Sequence, residues 1–177
     1  MEPGRDSWWR DLFLETSQET KNRVNHSADD ADVVMVYSNR SLDGTTNEMS
    51  QKTLENNMKN FATHLQKNSL CFVVCTRNCY FNVAAMFAVL YAGCRLLIYD
   101  GPVIHPDPSR VFQIINKYKA NTLIVDSDDL LTSMKHKEYT KIWDISSLTN
   151  IVVFGGTDCT VTARSIFSVP CQYVNQK

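Results

Sequence analysis

Leu70–Cys75 (LCFVVC), Phe81–Ala92 (FNVAAMFAVLYA) and Arg95–Tyr99 (RLLIY) form the stretch that decides the fold. The two short runs are continuously apolar instead of alternating, the pattern of strands buried on both faces. The run between them has helical length, and Gly93 closes it because glycine reaches positive φ without a Cβ clash. Strand, helix, strand in that order reads as a crossover unit of a parallel sheet.

The same alternation continues outward. Val33–Tyr37 reads as a strand, Ser38–Ser50 as a loop, and Gln51–Lys67 as a helix whose Leu54, Met58, Phe61 and Leu65 make one stripe. Beyond Tyr99, the segment from Asp100 to Pro106 is turn-rich. Asp107-Pro108 then opens a helix that carries Val111, Phe112, Ile115 and Tyr118 on one face. Asn121–Val125 is a strand, Ser127–Lys135 a helix, Asn150–Phe154 a strand stopped by Gly155-Gly156, and Val161–Phe167 a last helix. The expected class is α/β, a mainly parallel sheet flanked by helices. Residues 31–168 form the domain, with a polar, partly helical extension over 1–30 and a tail over 169–177.

Composition narrows the functional classes. The chain has 177 residues, 44% hydrophobic and 21% charged, with formal net charge −1, so a globular core is expected. There is no basic face and no interleaving of aromatics with Lys or Arg, which argues against a nucleic-acid partner. Met1–Arg10 lacks the apolar run of a signal peptide. The longest apolar run, Val83–Ala92, is too short to span a bilayer. A cytoplasmic protein is expected, in which the sequons at Asn25 and Asn39 have no meaning. The six cysteines read as reduced, since Cys71 and Cys75 fall in a buried-type strand.

In parallel α/β sheets ligands sit at the carboxyl ends of the strands. The first such segment is Tyr37-Ser38-Asn39-Arg40-Ser41-Leu42-Asp43-Gly44-Thr45-Thr46-Asn47. It resembles the phosphate loop of adenylate-forming enzymes, the acyl-CoA ligase, 4-coumarate-CoA ligase and luciferase group, with the form Y-S-S-G-[ST]-T-G-x-P-K-G. Three further features follow in that family's order. Ala92-Gly93 leads into an apolar strand. Ile114–Val125 (IINKYKANTLIV) is similar to the family's helix-to-strand passage. Asp144-Ile145-Ser146-Ser147-Leu148, with Ile151–Gly156 after it, resembles D-L-S-S-L…I-x-x-G-G-A-P-L. The resemblance covers about residues 30–167 and implies part of the large N-terminal domain of such an enzyme. It would bring ATP, Mg²⁺ and CoA as cofactors if the family's carboxylate adenylation and thioester formation were retained. It also admits a peroxisomal location, although the chain's end carries no targeting tripeptide.

The departures from the pattern weigh on activity. A phosphate loop needs glycines so that backbone N–H groups can close around oxygens, and a Lys as a point charge. Here Arg40 and Asp43 stand at the glycine positions, and Thr45-Thr46-Asn47 replaces Pro-Lys-Gly. Ser38, Ser41, Gly44, Thr45 and Thr46 can still form an anion nest, or the segment is a solvated loop. Cys75–Tyr80 stands where the family places an aromatic or His-bearing segment beside the acyl pocket. It offers Arg77, which suits a carboxylate or simply solvent. Gly155, Gly156 and Thr157 match the turn that lines the nucleotide and acyl pockets, and also match a plain turn. The family's Tyr-Gly-x-Thr-Glu segment has no counterpart beyond a faint echo at Gln172–Asn175. The expectation is a truncated relative with no catalytic residue of its own, inactive as a lone chain. The alternatives are a partner-dependent or weak ligase, an acyl- or nucleotide-binding module, and a gene remnant without selected function.

Other constellations are weaker. Cys71, Cys75 and Cys79 lack further ligands near them, and His64, His105 and His136 lie in separate elements, so no metal site is expected. Asp126-Ser127-Asp128-Asp129 suits helix capping better than Mg²⁺. No Gly-x-Ser-x-Gly elbow exists. Trp8, Trp9, Leu12 and Phe13 make a stripe that packs on this domain or on a partner. The helix over Phe81–Ala92, together with Trp8-Trp9 and Phe167, is expected to expose apolar surface, favouring a protein partner or self-association.

Overall fold

The computed structural model describes residues 33–37, 46–76 and 80–174, all within the unit Asp32–Lys177. Strands β1 (Val33–Tyr37) and β2 (Thr46–Ser50) pair antiparallel, with Tyr37 opposite Thr46. This corrects two expectations. Val33–Tyr37 is a strand but not part of the parallel sheet, and Thr46–Ser50 is a strand, not loop. The physical reason is chain length. Residues 38–45 are too few for the crossover of a dozen or more residues that parallel neighbours require, so the chain must reverse.

The main sheet has five parallel strands: β3 (Leu70–Val74), β4 (Arg95–Tyr99), β5 (Thr122–Asp126), β6 (Asn150–Phe154) and β7 (Cys171–Tyr173), in the order β4-β3-β5-β6-β7. The segment expected to be a tail thus supplies an edge strand, because Pro170 O accepts from Ile151 N and Val174 N donates to Val153 O. Three residues are too short a run for periodicity to reveal.

Helices α1 (Gln51–Ala62) and α2 (Tyr80–Tyr91) cover one face. The other face carries α3 (Arg110–Tyr118), α4 (Ser127–Met134) and α5 (Thr160–Phe167). A 3₁₀ turn over Lys137–Lys141, not anticipated from sequence, joins α4 to the loop before β6. Alternate strand residues serve the two faces. Cys71, Val73, Ile124, Val152 and Phe154 meet α1 and α2, while Phe72, Val74, Leu123, Val125, Ile151 and Val153 meet α3–α5. Burial on both faces is why these strands read as unbroken apolar runs.

Helix ends follow local chemistry. The Ser50 side chain accepts from Thr53 N and starts α1. The helix stops at Ala62, five residues before its expected end. His64 N and Leu65 N turn back in tighter bonds to Phe61 O and Ala62 O, and Asn68 follows at φ 66°. Leu65 still packs on the core. Helix α3 begins at Arg110, not at Asp107-Pro108, because the Asp107 carboxylate draws the Ser109 N–H (2.7 Å) and hydroxyl into a turn ahead of it. Phe167 is buried against Phe112 with ring centroids 6.1 Å apart, so it does not add to the exposed apolar surface. The Trp8-Trp9 expectation lies outside the described residues. Cys71, Cys75, Cys94, Cys159 and Cys171 are buried, and no disulfide joins any two of them. Burial pushes the Cys71 thiol up to about 11 and the Cys171 thiol up to about 12, so both stay protonated and act as small apolar groups.

Phe154 ties the α1–α2 layer to the sheet, since its ring lies 5.8 Å from Phe61 and 6.0 Å from Phe81. Phe154→Ala should therefore lower unfolding free energy by about 3–5 kcal/mol, measured by urea titration. A loss under about 1 kcal/mol would mean that the two helices close over the gap.

Candidate functional site

The candidate site is the carboxyl-end rim of β3, β5 and β6, where an α/β sheet of this kind presents loops to ligands. Of the residues expected there, Gly155, Gly156 and Thr157 form the turn after β6. Ser38, Ser41, Gly44, Thr45 and Arg77 lie outside the described residues. Thr46 opens β2. The structure thus brings together one of the three anticipated segments.

That turn is built around its neighbours. Gly155 has φ +112°, and a Cβ there would lie 2.7 Å from both Asp126 Oδ2 and Ser127 Oγ. Thr157 N donates to Ser127 Oγ (3.3 Å), and the Tyr173 hydroxyl donates to Gly155 O. Gly156 is different: nothing lies within 4 Å of a Cβ built on it. One glycine is required by packing within the chain, and the other opens to solvent. Asp126, Ser127 and Tyr173 are the residues that sequence reasoning missed in this role. A Ser following a strand's last residue, in the strand beside a Gly-Gly turn, is the only local signal for them. Thr76, at the end of β3, donates its hydroxyl to Asp129 and links the β3 and β5 ends.

Electrostatically this part of the rim is acidic. Residues 126–130 and 154–160 contain Asp126, Asp128, Asp129 and Asp158 and no Lys or Arg. Several of these groups already serve the helix N-termini that point at the rim. Asp126 Oδ1 accepts from Asp128 N (2.9 Å) at the start of α4. Asp158 Oδ1 accepts from Thr160 N (3.0 Å) and the Thr160 hydroxyl (2.7 Å) at the start of α5. Asp107 Oδ1 accepts from Ser109 N, in the turn ahead of α3 and not within that helix. At α4 and α5 a carboxylate of the chain takes one first-turn N–H, so these positive ends, which elsewhere bind phosphate, already face negative charge. A further depression of about 430 Å³ is lined by Lys137, Glu138, Thr140, Lys141, Ser165 and Ile166. It lies toward the amino ends of the strands and is no part of this rim.

The backbone N–H and hydroxyl of Thr160 hold the Asp158 carboxyl below its ordinary 3.8. Because the folded value is depressed, the cap is complete above the unfolded value and is lost as pH falls through the folded one. Amide exchange at Thr160 should accelerate only in acid below that ordinary value, and Asp158→Asn should flatten the dependence. Gly155→Ala should cost about 1–3 kcal/mol in urea unfolding, through strain at positive φ and the close oxygens. Gly156→Ala should stay within about 0.5 kcal/mol. Equal effects at both positions would show that packing does not distinguish the glycines.

Among the described residues no helix is long and apolar enough to cross a membrane. No protein-family model matches the chain. A 58-residue stretch is 40% identical to the uncharacterized protein ZK112.5 of Caenorhabditis elegans, covering 33% of this chain and 35% of that protein. Solved structures of adenylate-forming enzymes share the fold. A luciferase-like enzyme of the nonluminescent mealworm Zophobas morio aligns over 88% of this chain and 37% of its own, with TM-score 0.58 and 15% identity. A 2-hydroxyisobutyryl-CoA ligase aligns over 94% and 38%, with TM-score 0.62 and 10% identity. The fatty acyl-adenylate ligase of L. pneumophila aligns over 81% and 26%, with TM-score 0.61 and 15% identity. The chain therefore spans well under half the length of the proteins it matches, and its fold is that of part of an adenylate-forming ligase.

Proposed function

We propose that this chain is a relative of the acyl-CoA ligases that keeps their α/β scaffold without nucleotide binding, and works as a protein-interaction module. The observation that carries this reading is the occupation of the rim by Asp107, Asp126 and Asp158. A phosphate approaching those helix ends would meet fixed negative charge where it needs N–H donors. The sequence over residues 38–47 supports the same reading, since Arg40 and Asp43 stand where the resemblance calls for close-approach glycines. Adenylation requires phosphates, metal and carboxylate to be held together against developing charge. Among the described residues of the rim, carboxylates outnumber the cationic groups that could do so, since residues 126–130 and 154–160 hold four Asp and no Lys or Arg. The scaffold in this reading runs from about residue 31 through the edge strand β7, and a cytoplasmic location suits its reduced thiols.

A second reading is a weak or partner-dependent ligase. It draws on the Gly155-Gly156-Thr157 turn, whose Gly156 leaves room for a ligand's close approach. Melting of the 177-residue chain with ATP and Mg²⁺ separates the two. A ligand at a hundred times its dissociation constant adds about 2.7 kcal/mol, a shift of several degrees. The interaction-module reading expects less than about one degree. A dose-dependent rise beyond that would transfer the case to the ligase reading.

A further inference from the structure

Strand β4 is one of the two edges of the main sheet. Strand β4 pairs with β3 alone, and among the described residues no other strand lies along its outer side. Its ladder fixes which groups point outward. Arg95 N donates to Ser69 O and Tyr99 O accepts from Cys75 N. In a parallel ladder the residues facing the neighbour alternate, so Arg95, Leu97 and Tyr99 face β3. The N–H and C=O groups of Leu96 and Ile98 therefore point away from the sheet. Natural sheets blunt such an edge with Lys, Pro, a bulge or a cover. Here the strand reads Arg-Leu-Leu-Ile-Tyr, regular and mostly apolar.

Apolar surface continues from the edge onto the helix beside it. Ile98 is 49% exposed, and on α2 Phe87, Leu90 and Tyr91 are 50%, 58% and 62% exposed. Helix α1 leans toward β6, where Asn150 Nδ2 donates to His64 O and Phe61 meets Phe154. Helix α2 is thus the element on the β4 side of that face. A helix apolar on every side is normally covered on every side.

We infer that a second copy of this chain adds antiparallel to β4, joining the two sheets about a two-fold axis at Leu97. Two features select this occupant. The first is parity. Antiparallel pairing centred on Leu97 sets Leu96 opposite the partner copy's Ile98, and these are the residues with outward N–H and C=O groups. Each such pair exchanges both hydrogen bonds, as a hydrogen-bonded antiparallel pair must. The second is charge. Exposed Lys67 and Arg95 lie at the amino end of β4 and exposed Asp100 at its carboxyl end. An antiparallel copy brings cation to anion at both ends, and a parallel copy would set like charges together. This inference does not depend on whether nucleotide binds.

The test uses the 177-residue chain. Gel filtration with light scattering should show a dimer at high concentration that dissociates on dilution. Hydrogen exchange should show the Leu96 and Ile98 amides slowed by about tenfold or more in the dimer and fast in the monomer. The Leu97 and Tyr99 amides, already bonded to β3, should be slow in both. Ile98→Pro removes the outward N–H at an edge position that tolerates proline, and should give a monomer with unchanged circular dichroism. Val161→Glu, at a site 79% exposed on α5, should leave the dimer intact. A monomer at all concentrations overturns the inference. So does a dimer that survives Ile98→Pro, or one that Val161→Glu breaks. Should Ile98→Pro fail to fold, the wild-type exchange at Leu96 and Ile98 decides alone, and fast exchange in a dimer rejects the β4 interface.

Discussion

Parallel strands have no hairpin to hold them together, so β3, β5 and β6 stay paired only while helices cover both of their faces. Each strand divides its side chains between the two layers: Ile124, Val152 and Phe154 toward α1 and α2, and Leu123, Ile151 and Val153 toward α3–α5. Every other feature inherits its place from this constraint. The crossovers carry each helix N-terminus to the carboxyl end of the sheet, and so create the rim where the turn over Gly155–Thr157 meets Asp126 and Ser127.

The rim shows how one fold can carry or lose anion chemistry without changing its backbone. Helix N-termini converge there by topology, and the side chains next to them decide what they bind. Asp126 and Asp158 each accept one first-turn N–H, so α4 and α5 have a donor satisfied internally, while Asp107 adds negative charge in the turn ahead of α3. The gain is local stability, and the cost is an acidic surface unsuited to phosphate. The close fit of Gly155 against two side-chain oxygens works in the same direction, because a turn locked to its neighbours is less free to follow a ligand.

The edges tell a complementary story. At β7, Tyr173 donates to Gly155 O and Arg164 donates to Cys171 O (2.6 Å), so this short strand is fastened to the turn after β6 and to α5. At β4 no comparable fastening exists on the outer side among the described residues, and the apolar surface runs on into α2. The fold is finished by its own groups on one side and presents strand and helix on the other.

The sequence by itself determined the class of structure. Unbroken apolar runs at Leu70–Val74, Leu123–Val125 and Ile151–Phe154 require cover on both faces, and helix-period stripes between them supply it, so a parallel α/β sheet was legible without coordinates. The reduced state of the five described cysteines was legible for the same reason, since a thiol inside a buried run behaves as an apolar group. What only the tertiary structure decided was pairing and proximity. Periodicity cannot say that Val33–Tyr37 turns back on Thr46–Ser50 instead of joining the main sheet, nor that Cys171–Tyr173 completes it, because a strand's partners lie far off in sequence. The roles of Asp126 and Ser127 beneath Gly155 have the same origin. Those residues are about thirty positions apart in the chain, and the register of β5 against β6 alone sets them in contact.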